Sequence, residues 1–385
     1  MKTVNLDGGK AHAASIAECM RAVDEIREMA LRGLKKMFRA NDHLFIYRSI
    51  RSGPEIIPQG LGFRYSAMTV IGLAGEDDAA VRKVLGGLRL HDICKRLVQD
   101  IHSVGNMGDV ALTLWACHAV GFLEREETLK RLIELKPDSR AFPTVEMAWA
   151  LDALNLEHSS QVAELKKNIV RRLLRSFNPQ TGVFSHVVGG SNKGFRAHVS
   201  CFADMVYPIH ALSNYSRLSG DAQALDAAER CAGLICRLQG AAGQWWWHYD
   251  YRTGDVVEGY PVYSVHQDAM APMALFALEE AGGSSHRESI TKGLGWIYRP
   301  AEVSVPLLDR GADLIWRKVG RREPKKATRY IQAAASRLHP SMRMPGLNRF
   351  FPADLIDFED RPYHLGWVLC AWNRQRIAKL KATAE

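Results

Sequence analysis

The chain has no apolar run approaching the roughly 18 residues that a membrane-crossing helix needs, and its opening stretch, MKTVNLDGGKAHAASIAECM, lacks the apolar core of a secretion signal. These absences predict a cytoplasmic protein without a transmembrane segment. No Ser-, Gly- or Pro-rich linker divides the 385 residues, so one domain is expected over 1–385. Motifs that would announce a mechanism are missing as well: there is no GxGxxG, Walker loop, GxSxG nucleophile turn, CxxC pair or HExxH. Seven cysteines, an odd number scattered mostly through helical patterns, suit reduced thiols better than a disulfide framework. Asp92, Cys94 and His364 are zinc-type ligands, but without a ligand spacing to join them the expectation is no metal and no cofactor.

A formal charge of +9 is concentrated in part in one run, WRKVGRREPKKATRY from Trp316 to Tyr330. Such a run is either a solvated helix end and turn or a contact for an anionic substrate or lipid head group. No nucleic-acid module accompanies it, so nucleic acid is not expected as a partner.

What the chain does have is a recurrence. Six apolar, small-residue-rich segments start with one ionisable side chain in their first turn: GFRYSAMTVIGLAG from Gly62, MGDVALTLWACHAVG from Met107, PTVEMAWALDALN from Pro143, CFADMVYPIHALSNY from Cys201, VHQDAMAPMALFALEEAG from Val265 and RPYHLGWVLCAW from Arg361. Those early residues are Arg64, Asp109, Glu146, Asp204, Asp268 and His364. A helix that is apolar nearly all round must be buried, whereas the segments between them, such as CMRAVDEIREM from Cys19 and AELKKNIVRRLLRSF from Ala163, mix apolar and charged residues at helical spacing. Outer helices are therefore expected at about 13–39, 77–100, 125–135, 159–177, 221–238 and 286–298, each preceding its inner partner. Extra helical material at 307–338, within an irregular helical insertion at about 301–345, precedes the last inner helix. Closed into a ring, the inner helices would run parallel and gather their N-termini at one mouth, where polar groups surround a concave floor.

Three longer connections, at 43–61, 178–200 and 243–263, join outer helices to inner ones and fall on one side of such a ring. Their Thr-Gly turns and aromatic or β-branched alternation, as in PQTGVFSHVVGG and QWWWHYDYRTGDVVEGYPVY, predict short β-hairpins on the rim. The last tract concentrates Trp246, Trp247, His248, Asp250, Tyr251, Tyr263, His266, Gln267 and Asp268. Aromatic faces beside carboxylates suit the C–H face of a sugar ring and equally a developing carbocation. Glycosidic cleavage needs two carboxyl groups on opposite sides of the scissile bond, and Asp268, Asp204, Asp109 and Glu146 are the candidates, with His266 as a further acid or base. Arg64 and Arg196 would hold an anionic group, and Trp246, Trp247, His248, Asp250, Tyr251, Tyr263, Gln267 and His364 would contact substrate. His118, His198 and His210 fit packing roles better.

The hairpin recurrence resembles the α/α toroid shared by glycoside hydrolases, polysaccharide lyases, sugar epimerases, terpenoid cyclases and protein prenyltransferases. That resemblance implies an all-α (α/α)6 toroid over most of the chain, with one central pocket. CAGLICRLQGAAGQWWW, from Cys231, also looks like the Gln…Gly…Trp repeat of squalene-type cyclases, with Gln239, Gly243 and Trp245 as the matching residues, and RRLLRSFNPQTGVF from Arg171 is a degenerate second copy. In that family the repeat braces adjacent helices. The cyclases' DxDD and the terpene synthases' DDxxD are missing here. The leading expectation is a carbohydrate-active enzyme acting on a small molecule or glycan, anionic glycans among the candidates, with Asp268 as general acid or base, Asp204 or Asp109 opposite it and Trp246 as stacking platform. The alternatives are an isoprenoid-processing enzyme with an isolated acid, and a noncatalytic toroid that binds a glycan or a protein.

Overall fold

A computed structural model describes residues 7–190, 194–324, 327–340 and 342–382, with side chains for all of these except 7–17 and 161. Long outer helix α1 (Asp7–Met37) leads to inner helix α2 (Phe63–Leu73). Outer helices α3 (Asp78–Val84) and α4 (Leu90–Val98) precede inner α5 (Met107–Ala119), outer α6 (Glu126–Glu134) precedes inner α7 (Thr144–Asn155), and outer α8 (Ala163–Ser176) precedes inner α9 (Ala203–Ser219). Outer α10 (Ala222–Arg237) is followed by inner α11 (Ala271–Glu280), which is entered through a π-helical turn at His266–Met270. Then come α12 (Arg287–Tyr298), α13 (Ala327–Leu338), the single turn α14 (Leu347–Phe350), inner α15 (Pro362–Ala371) and α16 (Arg374–Ala382). Among the described residues no helix is long and apolar enough to cross a membrane.

The six inner helices pack side to side in the order α2, α5, α7, α9, α11, α15 and back to α2, which closes a toroid. One continuous hydrophobic core runs through it, from Met20 to Ile377. The inner helices carry little amphipathic contrast because they are covered on all sides: every residue of α11 from Ala271 to Leu278 is buried.

Each outer helix packs against the inner helix that precedes it, not only the one that follows: α6 on α5, α8 on α7, α10 on α9, α12 on the turn leading into α11. The reason is loop length. Inner-to-outer turns are short, as at Gly220, whose left-handed φ of 74° ends α9, with Asp221 capping α10 through Ala224 N at 2.9 Å. Outer-to-inner connections are the long rim segments. The hairpins are therefore inner-then-outer, and α1, left over at the start, packs on α15 at the end.

Two expected elements change character. The outer helix predicted over 77–100 is split into α3 and α4 by Gly86 and Gly87, both at positive φ (61° and 99°), a conformation that an α-helix cannot continue through. The segment at 301–345 is only partly helical. It holds strands Leu308–Asp309, Leu314–Ile315 and Lys318–Gly320 before α13, because Val319 and its neighbours pair with rim strands rather than with helices.

The rim strands differ from isolated hairpins in one respect. Apart from Leu44–Ser52 with Glu55–Leu61, the pairs that matter join segments from different repeats: Phe142–Pro143 with Val187–Val188, Val199–Cys201 with His248–Asp250, Val262–Tyr263 with Lys318–Gly320, and Glu359–Asp360 with the first hairpin at Ile50 and Ser49. Two-residue strands are marginal alone, and pairing across repeats gives each a partner fixed by the helices beneath.

The seam where α15 meets α2 is tight. A Cβ added to Gly72 would stand 2.0 Å from Gly366 O, and one on Gly366 would stand 2.8 Å from Thr69 Cα, so each glycine lets one backbone approach the other. Overpacking such a crossing costs about 1–3 kcal/mol. Gly72→Ala and Gly366→Ala are each expected to lower stability by that amount in urea unfolding. Gly295→Ala in α12, where nothing lies within 4 Å of the new Cβ, should instead leave it unchanged or raise it slightly.

Candidate active site

The N-terminal turns of the inner helices meet at one end of the ring. On α2, Arg64 reaches α5: its Nε donates to Asp109 Oδ1 at 2.5 Å and a terminal nitrogen donates to Asn106 Oδ1 at 2.8 Å, while its guanidinium carbon lies 5.6 Å from the Trp149 ring centre. Asn106 caps α5 by accepting from Asp109 N and also donates to Glu146 Oε1 at 3.2 Å on α7. Gly108 makes room for this, since a Cβ there would meet Glu146 Cγ at 2.8 Å. Arg64, Asp109 and Glu146 thus form one network, brought together as the repeat pattern requires.

Next round the ring, Asp204 is fully buried at the start of α9. Its Oδ2 accepts from Cys201 N at 2.8 Å and from His186 Nδ1 at 2.9 Å; its Oδ1 has no hydrogen-bond partner. His186 itself is half exposed, with 49% of its side chain in solvent. The hydrogen bond to Asp204 and that carboxylate's charge hold its pKa above the usual imidazole value, against burial and the charge of Arg196. With Nδ1–H committed to Asp204, Nε2 is the nitrogen left to take or give a proton. His186, Cys201 and Asp204 also place one nitrogen, one sulfur and one oxygen within 4.8 Å of one another.

Trp247 stacks on His248 with centroids 3.9 Å apart, and its edge meets Tyr263 at 5.6 Å. His248 Nε2 is 2.9 Å from a terminal nitrogen of Arg196. Since a guanidinium can only donate, this imidazole accepts and is neutral; burial and the Arg196 and Arg329 charges push its pKa well below the usual value. Tyr263 lies 5.0 Å from His266, with Arg317 and Lys318 on its face at 5.4 and 5.6 Å. Burial, aided by the nearby His364 charge, drops the His266 pKa to about 3, so it too is neutral, and its Nδ1 has no partner.

Beneath this surface lies a buried ionic core. Both oxygens of Asp268 are 2.9 Å from His364 Nε2, and His364 Nδ1 is 3.6 Å from Asp360 Oδ1. All three are buried. Burial opposes charge on His364, but the two carboxylates outweigh it and push its pKa up to about 10. The backbone supports the same place. Pro272 has no N–H to give the Asp268 carbonyl four residues earlier, and the indole Nε1 of Trp372 donates to that oxygen instead, at 2.7 Å. Ala271 N reaches back to His266 O, which makes the π-helical turn. Asp204 and Pro208 repeat the same Asp-x-x-x-Pro spacing in α9.

Four residues expected at the mouth are placed elsewhere. Gln267 is used up by the backbone, accepting from Trp245 N at 3.0 Å and donating to Tyr263 O at 3.0 Å. Trp246 packs between Gly240 and Gly259 and meets Tyr260 edge-on, so it is not available as a stacking platform. Asp250 is fully buried under α13, paired with Arg252 at 2.8 Å, and Tyr251 lines a separate cleft with Arg172, Arg175 and Ser185. The cause is local packing: only His248–Asp250 of this tract is strand, Trp246 is held where Gly240 and Gly259 approach it, and Asp250 is held by Arg252. His198 and His210 have packing roles, on Ser336 Oγ at 2.8 Å and Asp152 at 3.0 Å, and His118 lies against Glu157.

The structure resembles an unsaturated glucuronyl hydrolase specific for heparin (TM-score 0.62, 11% identity, covering 94% of this chain and 98% of that one). It is also similar to cellobiose 2-epimerase from Bacillus thermoamylovorans (0.59, 10%, covering 92% and 99%) and to a sugar epimerase from a ruminal bacterium (0.59, 12%, covering 93% and 98%). No family model and no curated protein matches the sequence. The chain is an α/α toroid. At this identity the likeness establishes the fold, and the chemistry must come from the side chains above.

Residues missed in the sequence are His186, Cys201 and Asp360, while Arg317 and Arg329 lay in the basic run Trp316–Tyr330 without being told apart from its other cations. His186 stood in plain view in FSHVVGG but 18 residues from Asp204, with no spacing rule to join them; the shared Asp-x-x-x-Pro spacing was the readable signal for Asp204 and Asp268 as a pair.

The buried triad makes stability depend on pH. The His364 pKa is raised from 6.5 to about 10 by folding, so its contribution is complete below about pH 6.5 and is lost as pH rises towards about 10. Thermal midpoints measured across that window should fall, and His364→Gln should flatten the slope while lowering the midpoint at neutral pH.

Proposed function

We propose that the protein is a carbohydrate-active enzyme that moves a proton at a sugar carbon, as epimerases and lyases do, with His186 as acid and base. The observation that carries this is the His186–Asp204 pair: a half-exposed imidazole whose Nδ1 is held at 2.9 Å by a fully buried carboxylate. Asp204 fixes the tautomer and stabilises the imidazolium, which leaves Nε2 to accept the proton. The carbon's electron pair is then held by the adjacent carbonyl or carboxyl group. Return of a proton from solvent to the opposite face of that carbon gives the epimer, whereas return from His186 to the original face restores the substrate. Expulsion of a β-oxygen, which leaves as the alcohol with the proton from His186, gives the unsaturated sugar.

This reading moves Asp268 from catalysis to support. With both oxygens turned to His364 and no exposed surface, it is out of reach of a substrate at the mouth. Asp268 instead keeps His364 charged under the mouth, where that charge helps keep His266 neutral. Trp247, stacked on His248 and edge-on to Tyr263, offers the aromatic face for a sugar ring in place of Trp246. Arg64, Asp109 and Glu146 supply fixed donors and acceptors for hydroxyl groups.

The likeness to two sugar epimerases and a glucuronyl hydrolase supports the substrate class and leaves both reaction types open. Hydrolysis is the second reading. It is favoured by Glu146, a partly exposed carboxylate whose hydrogen bond comes from Asn106. An isoprenoid substrate gains nothing from a mouth of arginine, imidazole and carboxylate, and the Gln239 side chain, bonded to Gly243 O and Ser289 O, has the bracing part that its repeat implies.

Incubation with neutral and uronic-acid oligosaccharides in D2O separates the readings. Proton transfer places solvent deuterium on a sugar carbon, seen by NMR, or produces an unsaturated sugar. His186→Asn should reduce turnover by about 100- to 10,000-fold, and Asp204→Asn should reduce it and shift the pH profile. Full turnover in His186→Asn, or cleavage with no carbon-bound deuterium and no unsaturation, would refute the assignment.

A further inference from the structure

Arginines surround the mouth, and almost all of them are neutralised. Arg64 pairs with Asp109, Arg317 and Arg361 with Glu359, Arg252 with Asp250, and Arg321 with Glu258. Even the basic run at 316–330 is mostly spent this way: Lys318 lies 2.9 Å from Asp357 and Arg322 2.6 Å from Asp354.

Two guanidiniums stand apart. Arg196, from the rim connection, and Arg329, from the first turn of α13, have no carboxylate within 4.0 Å among the described residues. The undescribed residues beside them in the chain, 191–193 and 325–326, contain no acid. They flank the Tyr330 ring, at 5.8 and 4.7 Å, and Arg329 lies 6.0 Å from the Trp247 ring. The Nε atom of each is buried and makes no hydrogen bond. Burial and the Arg329 charge both act to lower the Arg196 pKa, so the two cations are close enough to oppose each other.

Two half-buried like charges with unused donors are a costly arrangement that an anion relieves. The neighbours show where that anion would lie: beside the Trp247 face offered to a sugar, and near His186, whose imidazole feels the Arg196 charge.

We infer that Arg196 and Arg329 form a carboxylate-binding subsite that holds the acid group of a uronic-acid residue at the mouth. This rests on the proton-transfer reading in one respect. The hydrogen on the carbon next to a carboxylate becomes removable by an imidazole only when the carboxylate charge is neutralised, and a planar guanidinium fork does that bidentately. Sulfate and phosphate share the charge but place no acidic C–H beside it, which is why the carboxylate is the assignment.

The test is a calorimetric titration of the whole protein with D-glucuronate, with its neutral methyl ester, and with inorganic sulfate at matched ionic strength. Glucuronate should bind and its ester should not. Arg196→Met and Arg329→Met should each weaken glucuronate binding by about 30-fold or more, and Arg196→Lys and Arg329→Lys should recover part of it; circular dichroism identifies any variant that fails to fold, and the lysine pair then decides. His186→Asn should lose deuterium exchange, yet its glucuronate binding should still weaken when Arg196→Met or Arg329→Met is added, so failure of the proton-transfer reading leaves the arginine dependence of binding untouched. Equal affinity for acid and ester, no glucuronate binding, or binding indifferent to all four variants overturns the subsite. Sulfate binding that exceeds glucuronate binding overturns the carboxylate assignment.

Discussion

Ring closure is the constraint on which the remaining structure depends. Five of the six inner-helix contacts join helices neighbouring in sequence order, but the sixth joins the first, α2, to the last, α15, across about 290 residues. It is made by glycines that let two backbones touch, with α1 laid along the outside of the same seam. Without that contact the inner helices would form an open arc, and the N-terminal turns would not face a common axis. The ionic core under the mouth is tied to the seam through Asp360: Asp268 and His364 enter from the fifth and sixth inner helices, which are neighbours in sequence order, and Asp360 from the rim strand paired to the first hairpin.

The mouth has two electrical layers with different duties. Below, carboxylates and one charged imidazole cancel each other in a dry environment, which holds elements together and is unavailable to a ligand. Above, His248 and His266 are kept neutral by burial and nearby cations, His186 is kept basic by Asp204, and arginine charge is left in slight excess. The sequence reading gave acids the chemical role because acids recur at the inner-helix starts. The structure gives them mostly to cations and imidazoles as partners, and it is the imidazole of His186 that remains exposed.

How much of this was legible follows from the range of each interaction. The six inner helices and their polar first turns were readable because each depends on a period within some fifteen residues. The pairing of outer with inner helices was not, since it turns on whether a short or a long loop joins them. The tract from Trp245 to Tyr251 was readable as an aromatic rim segment, but which of its side chains looks inward depends on partners from elsewhere, so Trp246 and Trp247 exchange parts, and Asp250 goes under α13. His186 was out of reach because its partner comes from the next element, across a connection with irregular backbone. Arg329 was half visible: the basic run was apparent, but which of its cations would stay uncompensated depended on Asp354, Asp357 and Glu258 arriving from elsewhere.

The strands that cross from one repeat to the next give the rim a history different from that of the helices under it. An outer helix can drift residue by residue so long as its buried stripe is kept, since it answers only to its neighbours in packing. A rim strand answers to a register: gaining or losing one residue within Val199–Cys201 would turn that strand's own side chains to the other face of its pairing with His248–Asp250. A change of specificity that alters the length of a rim strand then needs a matching change in the loop paired with it, whereas a point replacement leaves the register as it is.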